Sequence, residues 1–553
     1  VSAINLGLAQ ALAALDDREF LARWRDLDDA HRLDALRHRF RYDQAGFLRW
    51  CFPRLFSRAY NPYHRATLDR PKLAWGERRG RNILRVDAAP RGIAKTTTAK
   101  GEVIHDVCYG LEDHIVIVSA ETRLARSITR HLRRIFSAGA GRLHDLFGPF
   151  VVEGGVDEFR VTTRHGHTCG ILARSFGTQV RGANEDGARP TRIIVDDGER
   201  PDRVRNGRLR EEDEQFLNDD ILGSGPIDGG LIVDWRGTVL HPDALLPRLL
   251  RNPGWSGRKW QAVIAWPTRT DLWEQARAIY TDLTIGDPEA RWQAAAAFYA
   301  EHRADMDAGA ELLDADALPL FSLYVEIWTK GLRSVLRERQ NDPFDPSTTI
   351  FDLTKIRRCR VEGTRIYTSR GTVVEFQDCT FGIWLDPSSG KDDADHPALA
   401  VVARDPWGYR YAIHVEGARR SPSAQQAALW GLWERFSAYR PRVGADATGT
   451  QGLLGEAFDR EREARKMSRR PWNLWPLLHT FGEDKNARIS SLEPDLVNGW
   501  LELAVDLPEE VNTELRDHPN AVHDDHLDAL QAADDLVCER IAGAVHSSRS
   551  IRG

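Results

Sequence analysis

Two periods of apolar residues run through the first half of this chain. Short unbroken runs read as buried strands: Ile83, Leu84 and Val86, then HIVIVSA (114–120), Ile193, Ile194 and Val195, GLIVDW (230–235) and AVIAWP (262–267). Between them the apolar positions fall three and four apart, as on the buried stripe of a helix. The same helical spacing fills residues 1–50 (LGLAQALAALDD, then REFLARWRDLDDAHRLDALRHRF) and the Ala- and charge-rich stretch 271–345. FRVTTRHGHTCGILARSF (159–176) alternates as a β-hairpin does. Strands alternating with helices to about residue 270 predict an α/β fold with a mostly parallel sheet.

The second half has a different order. TFGIWLDPSSG (380–390), ALAVVARD and YRYAIHVEGA predict three antiparallel strands, the last two joined by the turn DPWG (405–408). The helix SAQQAALWGLWERFSAY, the strand RVGADATGTQG, the helix LLGEAFDREREARK and the strand NLWPLLH follow. A last strand, GWLELA, precedes the closing helix VHDDHLDALQAADDLV. This is the order of an RNase H-like sheet, in which the first and fourth strands end side by side. The turns Asn341-Asp342-Pro343 and Asp345-Pro346-Ser347 mark a boundary between the halves. The expected domains are a helical segment 1–55, a nucleotide-binding domain 56–345 ending in a helical linker or lid, and a second domain 346–553.

Composition narrows the partners. With 553 residues, 42% apolar and 29% charged, the chain is too long for one core. Its net charge of −6 excludes a generally basic nucleic-acid binder, so DNA contact has to come from local surfaces. One such surface is the helix TRLARSITRHLRRIF with Arg123, Arg126, Arg130, Arg133 and Arg134, whose arginines either track phosphates or are simply solvated. Six cysteines without CxxC spacing argue against a zinc ribbon or a disulfide framework and suit a reducing cytoplasm. No apolar run approaches a membrane span and no signal-peptide pattern opens the chain, so a cytoplasmic protein is expected.

Candidate chemistry sits at strand ends. After Ile83–Val86 the turn APRGIA is closed by Lys95 and Thr96 and leads into a helix. Helix N-terminal amides, a lysine charge and a threonine hydroxyl that ligates Mg²⁺ make a phosphate cradle, with Arg91, Gly92 and Thr97 beside them. Ala89 and Ala94 stand where GxxxxGK[ST] has glycines, and a Cβ at 94 hinders positive φ. RIIVDDGE offers Asp196 for Mg²⁺, with Glu199 or Asp197 to orient the attacking water. Tyr60, Tyr63 and His64 either bracket an adenine or pack in the core. Arg181 either reaches a neighbouring subunit's γ-phosphate or pairs with Glu185 or Asp186. Gly237 and Thr238 form a small polar turn of the kind that senses γ-phosphate.

In the second half Asp386 and Asp446 end neighbouring strands, and Asp525 and Asp528 share a helix face beside Asp524. Carboxylates gathered like this repel one another unless divalent cations neutralise them; two Mg²⁺ or Mn²⁺ ions there would serve phosphodiester hydrolysis. His523 and His526 read as supporting or DNA-facing groups rather than zinc ligands.

APRGIAKTT and IIVDDGE followed by WLDPS, GADATG and HDDHLDAL resemble the large terminase subunit of tailed bacteriophages. The resemblance extends over roughly 50–540 and takes in RERQNDP and KNARISSLEPDLVNG. It implies an additional-strand P-loop ATPase domain followed by an RNase H-like endonuclease domain. It also implies ATP with Mg²⁺, and Mg²⁺ or Mn²⁺ in the nuclease. By position it gives Lys95 and Thr96 the phosphates and Mg²⁺, Arg91 a phosphate-sensing place, and Asp196 and Glu199 the Walker B and catalytic-acid roles. Gly237-Thr238 becomes the coupling turn, and Asp386, Asp446 and Asp525 (or Asp528) the nuclease ligands. The implied partners are double-stranded DNA, a portal protein, a small terminase subunit and further copies of the chain in a ring. The implied place is the host cytoplasm, transiently on the procapsid and not in the mature virion. Two rival readings use the same residues: a transposase- or resolvase-type nuclease with ATP regulation, and a silent prophage remnant supported by the two loop alanines.

Overall fold

The computed structural model describes residues 28–71, 73–139, 141–178, 189–343, 350–387, 396–446, 477–482, 484–521 and 523–541. They form two compact units. The first spans Val1–Thr268, Asp307–Tyr324 and Leu332–Phe344, and the second Arg269–Met306, Val325–Gly331 and Asp345–Gly553. The helical stretch after residue 268 therefore divides differently from the expected 56–345 boundary. Its physical reason is visible within the second unit, where Arg277 donates to Asn498 Oδ1 at 3.0–3.1 Å and Trp500 Nε1 to Thr281 O at 2.9 Å.

The first unit is built on β1 (Ile83–Ala88), β2 (His114–Ser119), β3 (Val151–Gly154), β4 (Glu158–Thr162), β5 (Thr168–Ser175), β6 (Arg192–Asp196), β7 (Ile232–Gly237) and β8 (Ser256–Lys259). Their spatial order is β3-β4-β5-β2-β6-β7-β1-β8, with β5 through β8 all parallel and the β3-β4-β5 edge antiparallel. One strand, β7, lies between the loop-bearing β1 and the acidic β6. That interposed strand defines the additional-strand arrangement, and it brings the end of β7 between the two.

The unbroken apolar runs follow from burial on both faces. Ile115, Ile117 and Ile194 pack with Phe47, Leu48, Val103 and Val107 on one side. Val116, Val118, Ile193, Val195 and Trp235 pack with Leu245 and Leu249 on the other. AVIAWP, expected in this sheet, instead gives β9 (Val263–Ala265), which pairs antiparallel with β10 (Glu311–Leu312). The sheet's last strand is the polar, exposed SGRK of β8, which carries no apolar pattern because it is an edge.

The second unit holds β11 (Arg358–Glu362), β12 (Arg365–Tyr367), β13 (Val373–Glu375), β14 (Thr380–Asp386), β15 (Ala398–Arg404), β16 (Arg410–Gly417), β17 (Arg442–Asp446), β18 (Leu477–His479) and β19 (Leu501–Ala504). The order β16-β15-β14-β17-β18, antiparallel across the first three and parallel across the last three, is the RNase H order. Beyond β16 the sheet continues through β19 into the hairpins of β11, β12 and β13.

The closing helix Asp525–Val537 covers one face through Leu527, Leu530, Ala533 and Val537. Helix Pro422–Phe436 covers the other with Leu429, Trp430, Trp433 and Phe436. Each fully buried side chain of this size contributes about 1.5–3 kcal/mol. Close approach is possible because β14 carries Gly382, where an added Cβ would stand 2.7 Å from Ala533 O. The expected helix 453–466 and Arg181 lie outside the described residues.

Candidate functional site

β1 ends at Ala88 and the chain turns through Ala89–Ala94 into helix Lys95–Cys108. Gly92 has φ +96, and Ala94 adopts φ +62, ψ +33, so the alanine takes the left-handed conformation a glycine usually supplies. That conformation costs an L-residue about 1–2 kcal/mol. Thr98 N donates to Ala94 O as the first helical bond, which leaves the amides of residues 95–97 at the helix N-terminus for an anion.

Lys95 Nζ donates to Ala89 O at 2.9 Å and to Thr238 Oγ1 at 2.7 Å, and lies 3.5 Å from Asp197 Oδ1. The loop, the turn after β7 and the acidic end of β6 thus converge on one ammonium. Thr96 Oγ1 donates to Asp196 Oδ2 at 2.6 Å. Asp196 is buried, and among the described residues its Oδ1 has no hydrogen-bond partner. Burial, with the Asp197 charge beside it, holds its carboxyl above the usual range. A buried carboxylate oxygen without a donor, next to a threonine hydroxyl and a lysine, fits a hydrated Mg²⁺.

The two candidate water-orienting acids separate clearly. Asp197, at φ +47, is exposed beside Lys95 and 3.6 Å from where a Gly237 Cβ would stand. Glu199 instead accepts from Leu245 N at 2.7 Å and Leu246 N at 3.3 Å, which ties it to the start of helix Leu245–Arg251. Burial pushes its carboxyl up to about 7 against those two bonds.

The upstream aromatics divide as well. Tyr63 is fully buried, edge-on to Trp260 at 5.9 Å, and packs with Ala89 and Ile93 beneath the loop; it is a core residue and does not bracket a base. His64 Nε2 lies 2.8 Å from Ile93 O and so braces the loop's backbone. Tyr60 donates to Ala45 O at 2.9 Å, with Arg49 and Arg65 over its ring. A cavity of about 340 Å³ opens between residues 54–60 and the loop, lined also by His64, Gly92, Ala94, Thr97, Asp314 and Ala317. Its size and place beside the phosphate cradle suit a purine. Arg91 pairs with Glu338 at 2.9 Å, and the neighbouring Asn341 accepts from Val239 N at 2.9 Å. The end of helix Leu332–Gln340 therefore holds both the loop and the β7 turn.

Sequence reasoning missed the buried charges beneath this cradle. Glu102, on the loop's own helix, receives Arg236 at 2.5 Å and Arg192 at 3.2 Å. Arg192 also pairs with Asp106 and, at 2.6 Å, with Asp234. Arg70 reaches Asp87 at 2.5 Å and Asp234 at 3.1 Å. The surrounding arginines hold Asp234 well below the usual range despite its burial, and Arg236 sits above its own. The available signal was charge at alternate positions of otherwise apolar strands, as in IVDWRG.

In the second unit Leu385 and Ala445 are paired across β14 and β17, so Asp386 and Asp446 end neighbouring strands. Burial, Asp528, Asp525 and Asp446 together push Asp386 well above the usual range, with Lys485 opposing. Asp525 is buried and accepts from His396 N at 2.9 Å. Asp528 accepts from Arg488 at 2.6 Å. Lys485 Nζ lies 2.7 Å from Asp524, 3.6 Å from Asp525 and 3.5 Å from Asp528.

The donors are all hard carboxylate oxygens, which fits Mg²⁺ or Mn²⁺. Among the described residues no three acidic, histidine or cysteine side chains are arranged to share an ion, and three of the carboxylates lie near Lys485. His523 is half-exposed, 4.0 Å from Asp525, whereas His526 is buried against Glu514 at 2.5 Å. Lys485 and Arg488 were missed; their signal was a basic pair three apart in KNARIS, matching the acidic pair three apart in DHLD.

In the basic helix Thr122–Ser137, Arg126 pairs with Asp157 and Arg133 donates to Gly154 O, so part of that face is engaged internally. No helix among the described residues is long and apolar enough to cross a membrane.

No family model matches the sequence, and no curated protein matches it. Solved structures do. The large terminase of a thermophilic bacteriophage is similar over 88% of this chain and 100% of its own, at 9% identity and TM-score 0.44. The HK97 bacteriophage large terminase is similar over 84% of this chain and 90% of its own, at 13% identity and TM-score 0.32. The human cytomegalovirus terminase nuclease domain is similar over 30% of this chain and 88% of its own, at 16% identity and TM-score 0.24. Such values carry no residue roles to this chain. Its fold, a P-loop sheet followed by an RNase H-like sheet, follows from the two strand orders themselves.

Proposed function

We propose that this chain is the large subunit of a viral DNA-packaging motor, an ATPase that drives duplex DNA and a metal-dependent nuclease that cuts it. The observation that carries the reading is the pairing of two sites at strand ends in one chain. Lys95, Thr96, Asp196 and Thr238 converge in one unit, and Asp386, Asp446, Asp525 and Asp528 gather in the other.

At the first site the helix N-terminus and Lys95 would receive the β- and γ-phosphates, with Thr96 and Asp196 holding Mg²⁺. A Mg²⁺ held there would supply positive charge to the phosphates. Asp197, beside Lys95, would orient the attacking water, since Glu199 accepts from the amides that start the helix Leu245–Arg251. Thr238, bonded to Lys95, would feel the loss of the γ-phosphate and pass it to β7. The cavity beside His64 would take the base.

At the second site the carboxylates would hold Mg²⁺ or Mn²⁺, and ions bound there would supply the charge for phosphodiester hydrolysis. The working partners under this reading are duplex DNA, a portal, a small terminase subunit and further copies of the chain in a ring. The place of work is the host cytoplasm, transiently on the procapsid.

The test is ATP hydrolysis by the purified full chain, with and without duplex DNA, beside Lys95→Ala. Turnover raised by DNA and lost in the variant supports the motor. Turnover that persists in Lys95→Ala removes the cradle from the account.

A further inference from the structure

The short helix Lys485–Ser490 presents two cations to the acidic cluster, and they are held in different ways. Arg488 is fixed. It is buried, bonded to Asp528 Oδ1 at 2.6 Å and to Gln531 Oε1 at 3.0 Å, and its guanidinium lies 3.7 Å from the centre of the Phe481 ring. Lys485 is a third exposed on an unbranched stem, and its ammonium lies among Asp524, Asp525 and Asp528 at 2.7–3.6 Å. A single positive charge within reach of three carboxylates occupies the electrostatic place of a divalent ion. Two cations within a few ångströms repel, so an ion entering the cluster meets the lysine as a competitor.

We propose that Lys485 is the resident cation of this cluster and competes with divalent metal for Asp525 and Asp528, so that the site's own side chain sets its metal affinity low. The inference rests on the nuclease reading. A motor that must not cut the DNA it is moving gains from a nuclease that loads metal reluctantly. The lysine is a positioning residue here, not one that touches the reacting atoms.

The test is Mn²⁺ binding to the full-length protein without nucleotide, read from the electron paramagnetic resonance signal of free Mn²⁺. Native protein is compared with Lys485→Met, Lys485→Gln, Lys485→Arg, Asp446→Asn and the Lys485→Met/Asp446→Asn double variant. Removing a like charge a few ångströms from the ion tightens binding by about tenfold in the Met and Gln variants. The Arg variant keeps native affinity, and the double variant loses the gain. Equal affinity in native, Met and Gln proteins, with binding weakened by Asp446→Asn, overturns the lysine's role and leaves the nuclease site standing. Binding that ignores Asp446 in every background places the ion elsewhere, and the nuclease reading falls with the proposal.

Discussion

The buried brace between Glu102 and Arg236 is open to a direct energetic test. Glu102 lies on the helix that begins with Lys95, and Arg236 immediately precedes the Gly237-Thr238 turn that Lys95 contacts. Both side chains are almost fully buried, and Arg70, Arg85, Arg192 and Arg236 stand against Asp87, Glu102, Asp106 and Asp234. Replacing Glu102 with Met leaves Arg236 without its carboxylate partner and takes one from Arg192. Breaking a buried pair from one side costs about 3–5 kcal/mol, whereas an apolar pair of similar volume is often neutral. Glu102→Met and Arg236→Met are therefore each expected to lose several kcal/mol. The double variant should lose less than their sum by about 1–3 kcal/mol, the coupling typical of contacting partners. The assay is calorimetric melting of the full chain, following the transition that ADP raises, since a two-unit protein is not expected to melt as one. Additive losses, or single variants within about 0.5 kcal/mol of native, would refute the brace. Under the proposed function the same variants should lower ATP turnover more than ATP affinity, because the brace joins the helix that begins at Lys95 to the strand that ends in the Gly237-Thr238 turn.

Three further outcomes follow from the geometry. Ala94→Gly removes the roughly 1–2 kcal/mol strain of a left-handed alanine and returns about 0.5–1 kcal/mol as unfolded-chain freedom, so the ADP-sensitive transition rises slightly; a clear fall contradicts the assigned backbone. Gly382→Ala drives a Cβ against Ala533 O and should cost about 1–3 kcal/mol, lifting the helix that carries Asp525 and Asp528 and weakening DNA cutting while ATP hydrolysis is unchanged; equal loss of both activities would contradict it. Glu199 is raised from 4.5 to about 7, so the folded state binds its proton more tightly than the unfolded chain does. Its contribution is then largest below pH 4.5 and is lost as pH rises to about 7, and Glu199→Gln should flatten native stability between those limits. A melting profile in which native and variant respond to pH alike would refute the assignment.

Most of the strand order was legible because it is written in apolar runs. Strands buried on both faces, such as HIVIVS and RIIVD, leave a continuous signal, and the strands of the second unit gave their order for the same reason. β8 was not legible, since SGRK is an exposed polar edge held by backbone bonds to β1. The position of acids at strand ends was legible where a carboxylate closes an apolar run, as at Asp196 and Asp386. Side-chain direction was not: Tyr63 and His64 are adjacent, yet one lies in the core and the other braces the loop. Asp197 and Glu199 are two residues apart, yet only Asp197 faces Lys95. The Lys485 contact joins residues about forty apart in sequence, a separation no local pattern spans.

The central claim is that one chain carries two independent sites. The most direct measurement is ATP hydrolysis and duplex-DNA cutting by the same preparations of native protein, Lys95→Ala and Asp446→Asn. The account predicts that Asp446→Asn abolishes cutting and leaves hydrolysis intact, while Lys95→Ala lowers hydrolysis by a factor on the order of a hundred or more and leaves metal-dependent cutting in place. Loss of both activities in either variant would contradict it.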